Sequence, residues 1–508
     1  MKIFTAEEIK EIFQYTVDTD NVTTLELIER VAEGVACEVA AKWNTSKPLA
    51  VFAGPDTNGA YALATSRLLA EQGFRPEVFL FNIGGDKLND ECAAEKSLLV
   101  EAPGVELTEV DKRFSLPFLD ESYLVIDGLF GIDLAQPLRG GFTTLVQYIN
   151  ESNATVVSID IPSGLSSEWN PGIVSRNVIR AHLTLAIQFP HLSFFISDYS
   201  DMVGEWKVLD IGLNSHKIRT TSACYHIVER ADIKRMLTPR KPDCSKADFG
   251  SAVIYAGSYG MMGAAVLAGK GALRSGAGKV TMYAPRCGFN ILQTAIPEAM
   301  FRSDTNDLVI SEIAPGGKYT SVAIGPGIGT NDRTIRALDG FLAAANKPVI
   351  LDADALNCIA ASPSMLNSIP VLSIITPHAG EFDRLFGAQS CMDARLRKAI
   401  EVAMHYKFFI ILKGRYTAVV RPDGKIYFNS SGTPAMATPG AGDVLTGVLS
   451  GFMAQPFSPE YSSILAVYVH GVAGELAAEE HGTYGVTAGD IADKIGCAIQ
   501  QIMTKPSR

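Results

Sequence analysis

The segment TPGAGDVLTG, residues 438–447, combines glycines and a carboxylate at the start of a helical pattern. Gly440 and Gly442 allow the backbone to approach a ligand closely, and a helix that begins near Asp443 points free N–H groups at an anion. There Asp443 is placed to take a proton from a hydroxyl group as its oxygen attacks a phosphoryl group. Taken alone, the motif is better explained as an acidic residue that stabilises a helix start, because short motifs match by chance.

Four other glycine-rich or polar segments end strand-like runs in the same half of the chain and reverse that preference. They are GSYGMMGAA (257–265), GPGIG (325–329), TPHAGE (376–381) and LKGRYT (412–417). Because ligands of open α/β sheets bind beyond the carboxyl ends of the strands, we expect these segments to line one site. The sequence has neither a Walker A motif nor a well-formed G-x-G-x-x-G, so neither a P-loop nor a dinucleotide-reading motif explains them. Asp352 and Asp354 also follow a strand, and we interpret them as ending it, outside the site.

A second set of polar residues follows strands in the amino-terminal half. The run VFAGPDTNGAYALATSRLL predicts a strand, a tight turn at Asn58-Gly59 and a helix whose first N–H groups can receive phosphate. Alone, this pattern is more often an ordinary turn. Later strand ends add Asp127, and Asp160 with Ser163. Carboxylate, amide and hydroxyl oxygens suit a hard cation, and a carboxylate in a cleft can transfer protons.

The elements that must position these residues alternate between strands and helices. The first forty residues predict helices, with a capping box at Thr5 and Glu8. Apolar runs then predict strands over 48–54, 77–84, 123–131, 154–164, 183–189 and 206–212, and a similar series restarts near Phe249. This alternation is typical of layered α/β domains with parallel sheets. A polar stretch at about 213–225 separates the halves, so we predict domains over 1–215 and 225–508.

Composition excludes several classes of protein. The 508 residues carry a formal net charge of −11 and no long run of lysine and arginine, so no nucleic-acid partner is expected. The 8 cysteines form no C-x-x-C pair, which argues against a disulfide framework or a thiolate metal site. No apolar run reaches the roughly 18 residues of a membrane span, and the first residues lack the apolar core of a signal peptide. We therefore expect a cytoplasmic protein with no membrane partner.

The second half resembles the ribokinase-like superfamily and, more narrowly, the ADP- or ATP-dependent NAD(P)H-hydrate dehydratases. The resemblance covers residues 225–508 and depends on the ordered motifs DFGSAVIYAGSYGMMGAA, AIGPGIG, LDADALN, TPHAGEF, LKGRYT and GAGDVLTG. It implies repair of NADH or NADPH that has been hydrated at the 6 position of the nicotinamide ring. An adenine nucleotide phosphorylates the new hydroxyl group, and loss of phosphate restores the reduced ring.

This resemblance implies roles for individual residues. Asp443 matches the catalytic base, and Gly327 and His378, with Asp443, match positions that bind the hydrated dinucleotide. The positions that match the nucleotide-binding segments are Lys413, Gly414, Arg415, Tyr416, Thr417, Thr438, Gly440, Ala441 and Gly442. Mg²⁺ is expected because the phosphoryl charge needs neutralising, although no dedicated metal cage is visible. Taken alone, His378 fits a helix cap or a packing residue equally well.

The first half, residues 1–215, resembles the NAD(P)H-hydrate epimerase domain, which implies a Rossmann-like fold. By this resemblance Asn58, Asp127 and Ser163 ligate K⁺, and Asp160 is the acid/base that interconverts the R and S hydrates. The positions implied to contact the dinucleotide are Asn58, Gly59, Gly131, Ile132, Asp133, Leu134, Ala135, Gln136, Pro137 and Asp160. Fusion of this domain to the dehydratase is a known bacterial arrangement, which strengthens both assignments.

Alternatives remain open for each half and for the whole chain. The family loop reads G-x-G-N-N-G-G-D-G, whereas this chain reads G-P-D-T-N-G-A-Y-A. The replacing residues are Asp56, Thr57, Ala60, Tyr61 and Ala62. The first domain therefore also fits a non-catalytic module that binds a dinucleotide, and the whole chain fits a small-molecule kinase acting on a vitamin or a hydroxymethyl-pyrimidine. A structural or interaction protein is the third class. The donor (ADP or ATP) and the preference for NADH or NADPH hydrate stay open, and a homo-oligomer is expected.

Overall fold

The computed structural model describes residues 1–83, 88–111, 114–134, 136–314 and 318–504. The chain divides into two compact units, one of residues Lys2–Ala223 and the other of Cys224–Arg508 with Met1. The functional limits expected for the two domains, 1–215 and 225–508, stay predictions. In the described part of the chain, no helix is both long and apolar enough to cross a membrane.

The first unit begins with strand β1 (Lys2–Ile3) and helices α1 (Ala6–Thr19) and α2 (Thr24–Lys42). The predicted capping box is present, since the Thr5 side chain accepts from the Glu8 backbone and the Glu8 side chain accepts from the Thr5 backbone. These reciprocal bonds satisfy N–H groups that a helix start otherwise leaves without partners. The helical prediction for this region is therefore confirmed.

The sheet of the first unit has the strand order β4-β3-β2-β5-β6-β7-β8, with every pair parallel. Its strands are β2 (Leu49–Ala53), β3 (Pro76–Phe81), β4 (Glu106–Val110), β5 (Leu124–Gly128), β6 (Thr155–Ile159), β7 (Leu183–Ile187) and β8 (Glu205–Leu209). The remaining helices are α3 (Thr57–Glu71), α4 (Asp90–Glu101), α5 (Gly141–Glu151), α6 (Ser200–Val203) and α7 (Ser215–Thr220). This is the doubly wound Rossmann order. The strand order proceeds in opposite directions on the two sides of the β2–β5 pair, and such sheets bind ligands at this switch point.

Two local predictions differ from the structure in this unit. Strand β4 was not predicted, because its sequence ELTEV is mostly exposed at the sheet edge and lacks an apolar run. The tight turn expected at Asn58-Gly59 is also wrong. Helix α3 begins at Thr57, so both residues lie in its first turn. A side chain at Gly59 would approach the Gly54 carbonyl oxygen to 1.9 Å, so this glycine serves close packing of the helix on the strand end rather than a turn.

The sheet of the second unit runs in the order β9-β18-β17-β16-β15-β14-β13-β10-β11-β12, and the neighbours from β16 to β12 are parallel. Its strands are β9 (Tyr225–Val228), β10 (Ser251–Tyr255), β11 (Lys279–Ala284), β12 (Met300–Ser303), β13 (Ser321–Ile324), β14 (Ile350–Leu351), β15 (Ile374–Ile375), β16 (Phe409–Leu412), β17 (Ala418–Val420) and β18 (Ile426–Asn429). Strand β17 is antiparallel to β16 and to β18. Here the strand order reverses its direction between β10 and β13, which are themselves parallel.

The helices of the second unit cover the sheet and bury its apolar residues. They are α8 (Arg230–Met236), α9 (Met262–Arg274), α10 (Phe289–Ala295), α11 (Asp332–Ala344), α12 (Asp354–Ala361), α13 (Ala379–Phe386), α14 (Met392–Tyr406), α15 (Ala441–Ala454), α16 (Pro459–His481) and α17 (Ala488–Thr504). Strands and helices thus form a layered α/β unit, as expected.

Glycines let helix α15 pack directly on helix α9. A Cβ atom at Gly447 would lie 2.0 Å from the Ala268 carbonyl oxygen, and one at Gly271 would lie 2.5 Å from the Val444 carbonyl oxygen. Both positions face backbone, which cannot swing aside as a flexible side chain can. The position of α15, and therefore of the residues at its start, depends on this close contact.

Gly447→Ala should lower the free energy of unfolding by about 1 to 3 kcal/mol, because the added methyl group overpacks the α9 contact. Gly340→Ala is the matched control. Gly340 lies within α11 with no atom within 4 Å of a built Cβ, so the alanine should stabilise by about 0.5 to 1 kcal/mol through helix propensity. Urea denaturation of both variants measures the difference. Equal effects of the two substitutions would contradict the packing argument.

Candidate active sites

Asn58 is the first polar group of the site in the first unit. It is 4% exposed, and neither its amide oxygen nor its amide nitrogen has a hydrogen-bond partner among the described residues. Gly131 follows β5 and lies against it, since a Cβ there would be 3.1 Å from Asn58 Oδ1. A buried amide without partners costs free energy unless another group satisfies it. The amide oxygen is therefore available to a ligand or a cation.

Asp127, within β5, is fully buried and accepts several hydrogen bonds. Its donors are Ser158 Oγ at 2.8 Å, Ser163 Oγ at 2.5 Å and the Ser163 backbone N–H at 2.9 Å. Burial raises the pKa of Asp127, and these hydrogen bonds oppose the rise. No lysine or arginine pairs with the carboxylate in the described part of the chain. A cation bound here would remove the electrostatic penalty that burial imposes.

Asp160 follows β6 in a backbone conformation that side chains rarely adopt, with φ of 66°. Its Oδ1 atom lies 2.9 Å from His191 Nε2 and accepts the Ile187 backbone N–H at 3.2 Å. His191 is fully buried, and its Nδ1 atom has no partner among the described residues. A strained residue held by its surroundings is characteristic of functional sites. The structure thus fixes one oxygen of Asp160.

A cavity of about 320 Å³ is lined by Asn58 and Asp160. Five of the predicted residues line it: Asn58, Gly131, Ile132, Asp133 and Asp160. The predicted residues that do not line it are Gly59, Leu134, Gln136, Pro137, Asp127 and Ser163, and Ala135 lies outside the described residues. Tyr61 lines the wall where the family loop carries a carboxylate, and burial raises its pKa. Helices α1 and α2 also line the cavity, which the sequence motifs did not predict. They contribute apolar and polar residues: Ile9, Lys10, Phe13, Gln14, Val17, Thr24 and Ile28.

In the second unit, Asp443 lies in the first turn of α15. Gly440 caps this helix with φ of 88°, and a Cβ there would approach Leu267 Cδ1 to 2.5 Å, so both conformation and space require glycine. Because glycine has no side chain that could accept a hydrogen bond, Gly440 provides no side-chain cap for the N–H groups of the helix start. The Ala441 N–H of the first turn donates to the Thr438 carbonyl, and the anion site predicted at the N–H groups that follow stays a prediction.

Lys413 follows β16 and reaches the start of α15. Its Nζ atom lies 3.0 Å from Asp352 Oδ1 and 3.7 Å from Glu381 Oε2. A Cβ at Gly442 would be 3.5 Å from this Nζ, so the ammonium group stands directly beside the predicted anion site. The structure therefore brings together LKGRYT and GAGD, which the sequence places apart. An ammonium group here can balance phosphate charge.

Asp443 is partly buried and has an unusual charge environment. Burial, together with the negative charge of Asp352, raises the pKa of Asp443 to about 6, although Lys413 acts in the opposite direction. A carboxylate with this pKa is largely ionised at neutral pH and is a stronger base than an ordinary aspartate. The group is therefore suited to accept a proton under cellular conditions.

His378 is the N-cap of α13. Its Nδ1 atom accepts the backbone N–H groups of Gly380 at 3.0 Å and Glu381 at 3.3 Å. Both the capping interpretation and the ligand prediction remain compatible with this geometry, because the side chain is 56% exposed and Nε2 faces outward, 3.5 Å from Glu381 Oε1. With Nδ1 used as an acceptor, a neutral His378 carries its proton on Nε2.

Gly327 lies in the loop after β13 with φ of 64°. Its carbonyl oxygen accepts Ser258 Oγ at 2.8 Å, which joins this loop to the glycine-rich segment after β10. The segment from Gly414 to Thr417 forms a turn, in which Thr417 Oγ1 donates to the Gly414 carbonyl at 3.1 Å. Within it, Arg415 lies over the Tyr416 ring. The Thr438 carbonyl accepts the Ala441 N–H at 3.3 Å.

Sequence reasoning missed three groups that the structure places at these sites. Asp352 pairs with Lys413, and Asp354 accepts the backbone N–H of Gly329 at 2.9 Å. Both aspartates were predicted to end the strand and to lie outside the site. His191 contacts Asp160 but stands 31 positions away in the chain. One signal was available for each, since both aspartates and the histidine follow apolar strands whose carboxyl ends share an edge with the predicted sites.

Comparison with known proteins assigns both units. A family model described as NAD(P)H-hydrate dehydratase matches residues 252–496, and one described as YjeF-related protein N-terminus matches residues 24–193. A bifunctional NAD(P)H-hydrate repair enzyme of Thermofilum pendens is 31% identical over 502 residues, covering 96% of this chain and 94% of that protein. The protein of the same name from Escherichia coli is 28% identical over 502 residues, covering 96% and 92%.

The chain belongs to the family of bifunctional NAD(P)H-hydrate repair enzymes. The resemblance expected from the ordered motifs is confirmed, as are the two-domain α/β fold and the assignment to an enzyme family. Among solved structures, an ADP/ATP-dependent NAD(P)H-hydrate dehydratase from Bacillus subtilis, co-crystallised with ATP and Mg²⁺, is 30% identical. That match has a TM-score of 0.48 and covers 55% of this chain and 98% of that chain.

The raised pKa of Asp443 predicts a pH-dependent cost in stability. The folded state binds this proton more tightly than the unfolded chain, so the contribution of Asp443 to stability falls as pH rises from about 4 to about 6 and is then constant. The asparagine in Asp443→Asn cannot ionise, so this variant removes the fall in stability with rising pH. The variant should therefore gain roughly 1 to 2 kcal/mol relative to wild type between pH 4 and pH 7, with solvent screening allowed for.

Urea denaturation of both proteins at a series of pH values measures this gain. The matched control is Asp339→Asn, at an exposed position of α11. A stability difference between wild type and Asp443→Asn that does not change with pH would contradict the assigned pKa.

Proposed function

We propose that the chain restores hydrated NADH or NADPH to the reduced cofactor, with dehydration at Asp443. The observation that carries this proposal is the position of one basic carboxylate between the amide-lined start of α15 and the Lys413 ammonium group. A phosphate held by the amides and the ammonium group would lie beside this carboxylate. Family membership supplies the substrate class and the order of the steps, and the geometry supplies the groups for phosphoryl transfer.

In the first step, the hydroxyl group at the 6 position of the hydrated ring attacks the terminal phosphoryl group of ADP or ATP. Asp443 accepts the hydroxyl proton, and the bond between the phosphoryl group and the nucleotide breaks. Phosphate then leaves from the ring, and loss of a proton from the neighbouring carbon restores the ring double bond. Lys413 and the N–H groups at the start of α15 stabilise the charge on the transferring group. Mg²⁺ would accompany the polyphosphate and neutralise part of its charge.

The first unit would interconvert the R and S hydrates, with Asp160 moving the proton. The cavity beside Asp160 supports this proposal, since its lining combines a few polar groups with apolar side chains, as small-molecule sites do. K⁺ would be held by Asn58, Asp127 and Ser163. These residues fit a hard monovalent cation, because they supply an amide oxygen without a partner, a buried carboxylate without a counterion and a hydroxyl oxygen. A bound cation would fix the loops that carry them and lower the cost of burying Asp127. We also expect a cytoplasmic homo-oligomer, which rests on the sequence alone.

Asp443→Asn should bind nucleotide but lose the ATP- or ADP-driven dehydration of the S hydrate by a factor of about 10² to 10⁴, because a carboxamide cannot accept the proton. The absorbance of the restored dihydronicotinamide measures turnover, with ADP and ATP supplied in parallel, and calorimetry measures nucleotide binding. Asp339→Asn, exposed on α11, should behave as wild type. Turnover near the wild-type rate in Asp443→Asn would refute the role of this residue.

Product analysis separates repair from the small-molecule kinase alternative. Repair yields free phosphate and reduced cofactor in equal amounts, whereas a kinase yields a stable phosphoester and no recovery of absorbance. A phosphoester that accumulates with vitamin substrates, together with no activity on hydrated NADH, would favour the kinase.

The full chain carrying Asp443→Asn isolates the epimerase reaction, because the S hydrate then accumulates. Supplied with R hydrate, this protein should accelerate conversion to S above the rate in buffer, and the added change Asp160→Asn should abolish that acceleration. Replacing K⁺ by a bulky organic cation should lower both the rate and the melting temperature if Asn58 and Asp127 hold the ion. Chromatography of the two hydrates follows the conversion.

The altered loop around Tyr61 makes the opposite outcome informative. If the chain binds the hydrated dinucleotide but conversion is no faster than in buffer with K⁺ present, the first unit is the non-catalytic binding module.

A further inference from the structure

The sequence Asp352-Ala353-Asp354 follows β14 and contains a strained residue. Ala353 has φ of 48° and ψ of −119°, a conformation that residues with side chains seldom adopt. It stands between two aspartates at the carboxyl end of a central parallel strand, next to Lys413 and the loop of Gly327. Backbone strain that persists at such a position is evidence of a geometric requirement. The two carboxylates show what that requirement is, because each reaches a different segment.

Asp352 contacts the segments assigned to the nucleotide. It is 1% exposed, its Oδ1 atom lies 3.0 Å from Lys413 Nζ, and its Oδ2 atom accepts Thr446 Oγ1 at 2.5 Å. Thr446 is one helical turn beyond Asp443 in α15. One buried carboxylate therefore holds both the ammonium group that faces the phosphate and the helix that carries the proton acceptor. Charge-assisted hydrogen bonds of this kind are strong and directional.

Asp354 contacts the segment assigned to the hydrated dinucleotide. Its Oδ2 atom accepts the Gly329 backbone N–H at 2.9 Å, which anchors the loop of Gly327, and its Oδ1 atom accepts Asn357 Nδ2 at 3.1 Å. Asn357 in turn accepts a hydrogen bond from Arg384 of α13, the helix that His378 caps. Asp354 is thus linked to both positions that the resemblance assigns to the hydrate.

We propose that Asp352 and Asp354 are positioning residues that hold the two halves of the dehydratase site separately, Asp352 the nucleotide half and Asp354 the hydrate half. The unusual conformation of Ala353 turns the chain between the two aspartates, so that Asp352 and Asp354 reach different segments. This inference rests on the proposed dehydration at Asp443. It assigns neither aspartate contact with the substrates or with the reacting atoms.

Asp352 also belongs to the charges that surround Asp443. The ionisable groups that face Asp443 from neighbouring elements are Asp352 and Asp354 after β14, Glu381 of α13 and Lys413 after β16. His470 of α16 is buried behind the start of α15 and hydrogen-bonds the backbone of Ala441. Removing the negative charge of Asp352 favours the ionised form of Asp443, and it also frees Lys413 to approach Asp443. Both effects move the pKa of Asp443 downward.

The test compares Asp352→Asn and Asp354→Asn in the full chain, with Asp339→Asn as the matched surface control. Asp352→Asn should raise the KM for ATP about tenfold or more and leave the KM for the S hydrate within twofold of wild type. In the pH profile of kcat/KM, the pKa of the acid limb should be lower for Asp352→Asn than for wild type, in which Asp443 has a pKa of about 6. Asp354→Asn should raise the KM for the S hydrate several-fold and leave the KM for ATP within twofold. Thr446→Val should reproduce part of the rise in the KM for ATP seen in Asp352→Asn. Thr446→Ser keeps the hydroxyl group and should have a KM for ATP near that of wild type.

Melting temperatures identify any variant that fails to fold, in which case the Thr446 pair carries the test of the nucleotide half. Equal changes in both KM values for both variants, or no change in either, would overturn the proposal. Failure of the proposed function is distinguishable, because wild-type chain would then show no recovery of reduced cofactor at all. Calorimetric binding of Mg–ATP still tests the positioning in that case. Weaker binding by Asp352→Asn than by Asp354→Asn supports it, and equal binding contradicts it.

Discussion

A proton acceptor beside a phosphate must stay negatively charged without being neutralised by the cation that the phosphate requires. The second unit meets this constraint by sharing one lysine among carboxylates of unequal burial. Lys413 lies 3.0 Å from the fully buried Asp352 and 3.7 Å from Glu381, so its charge is largely directed to those groups. Asp443 keeps a raised pKa near 6 in spite of the ammonium group. In the proposed reaction, the same residues would provide a positive charge for phosphate and a base for its acceptor.

Both units place polar groups at the point in the parallel sheet where the strand order reverses its direction. In the first unit this point lies between β2 and β5, with Asn58 and Gly131 in contact there, and in the second it lies between β10 and β13, with Ser258 bound to Gly327. At this point the connections that follow two adjacent strands run to opposite sides, which leaves a crevice outside the carboxyl ends of the strands. Non-glycine residues with positive φ follow the strands at both sites, Asp160 in one and Ala353 in the other. These two are among seven non-glycine residues with positive φ in the described part of the chain, and both stand at strand ends that carry site residues.

Most of the fold could be predicted from local sequence, and the exceptions have clear physical reasons. The central strands were predicted because buried parallel strands are continuous apolar runs, as in LAVFA and LVIDG. The edge strands β4 and β12 were not predicted, because ELTEV and MFRS face solvent at most positions and carry polar side chains. Strands β9, β17 and β18 were also missed, because they are only three or four residues long. Asn58-Gly59 was interpreted as a turn because this dipeptide favours turns, whereas tight packing of α3 against the strand end places it in a helix.

By itself the sequence determined the groups that depend on their immediate neighbours in the chain. The start of α15 is one, because Gly440 and Asp443 lie within one helical turn, and the capping box at Thr5 is another. Only the tertiary structure decided which charges meet. Asp352 and Lys413 are 61 positions apart, and Asp352 and Thr446 are 94 apart, so no local spacing relates them. Their contact follows from the order and register of the parallel strands, which bring distant carboxyl ends to one edge, and burial there gives the charges their strength.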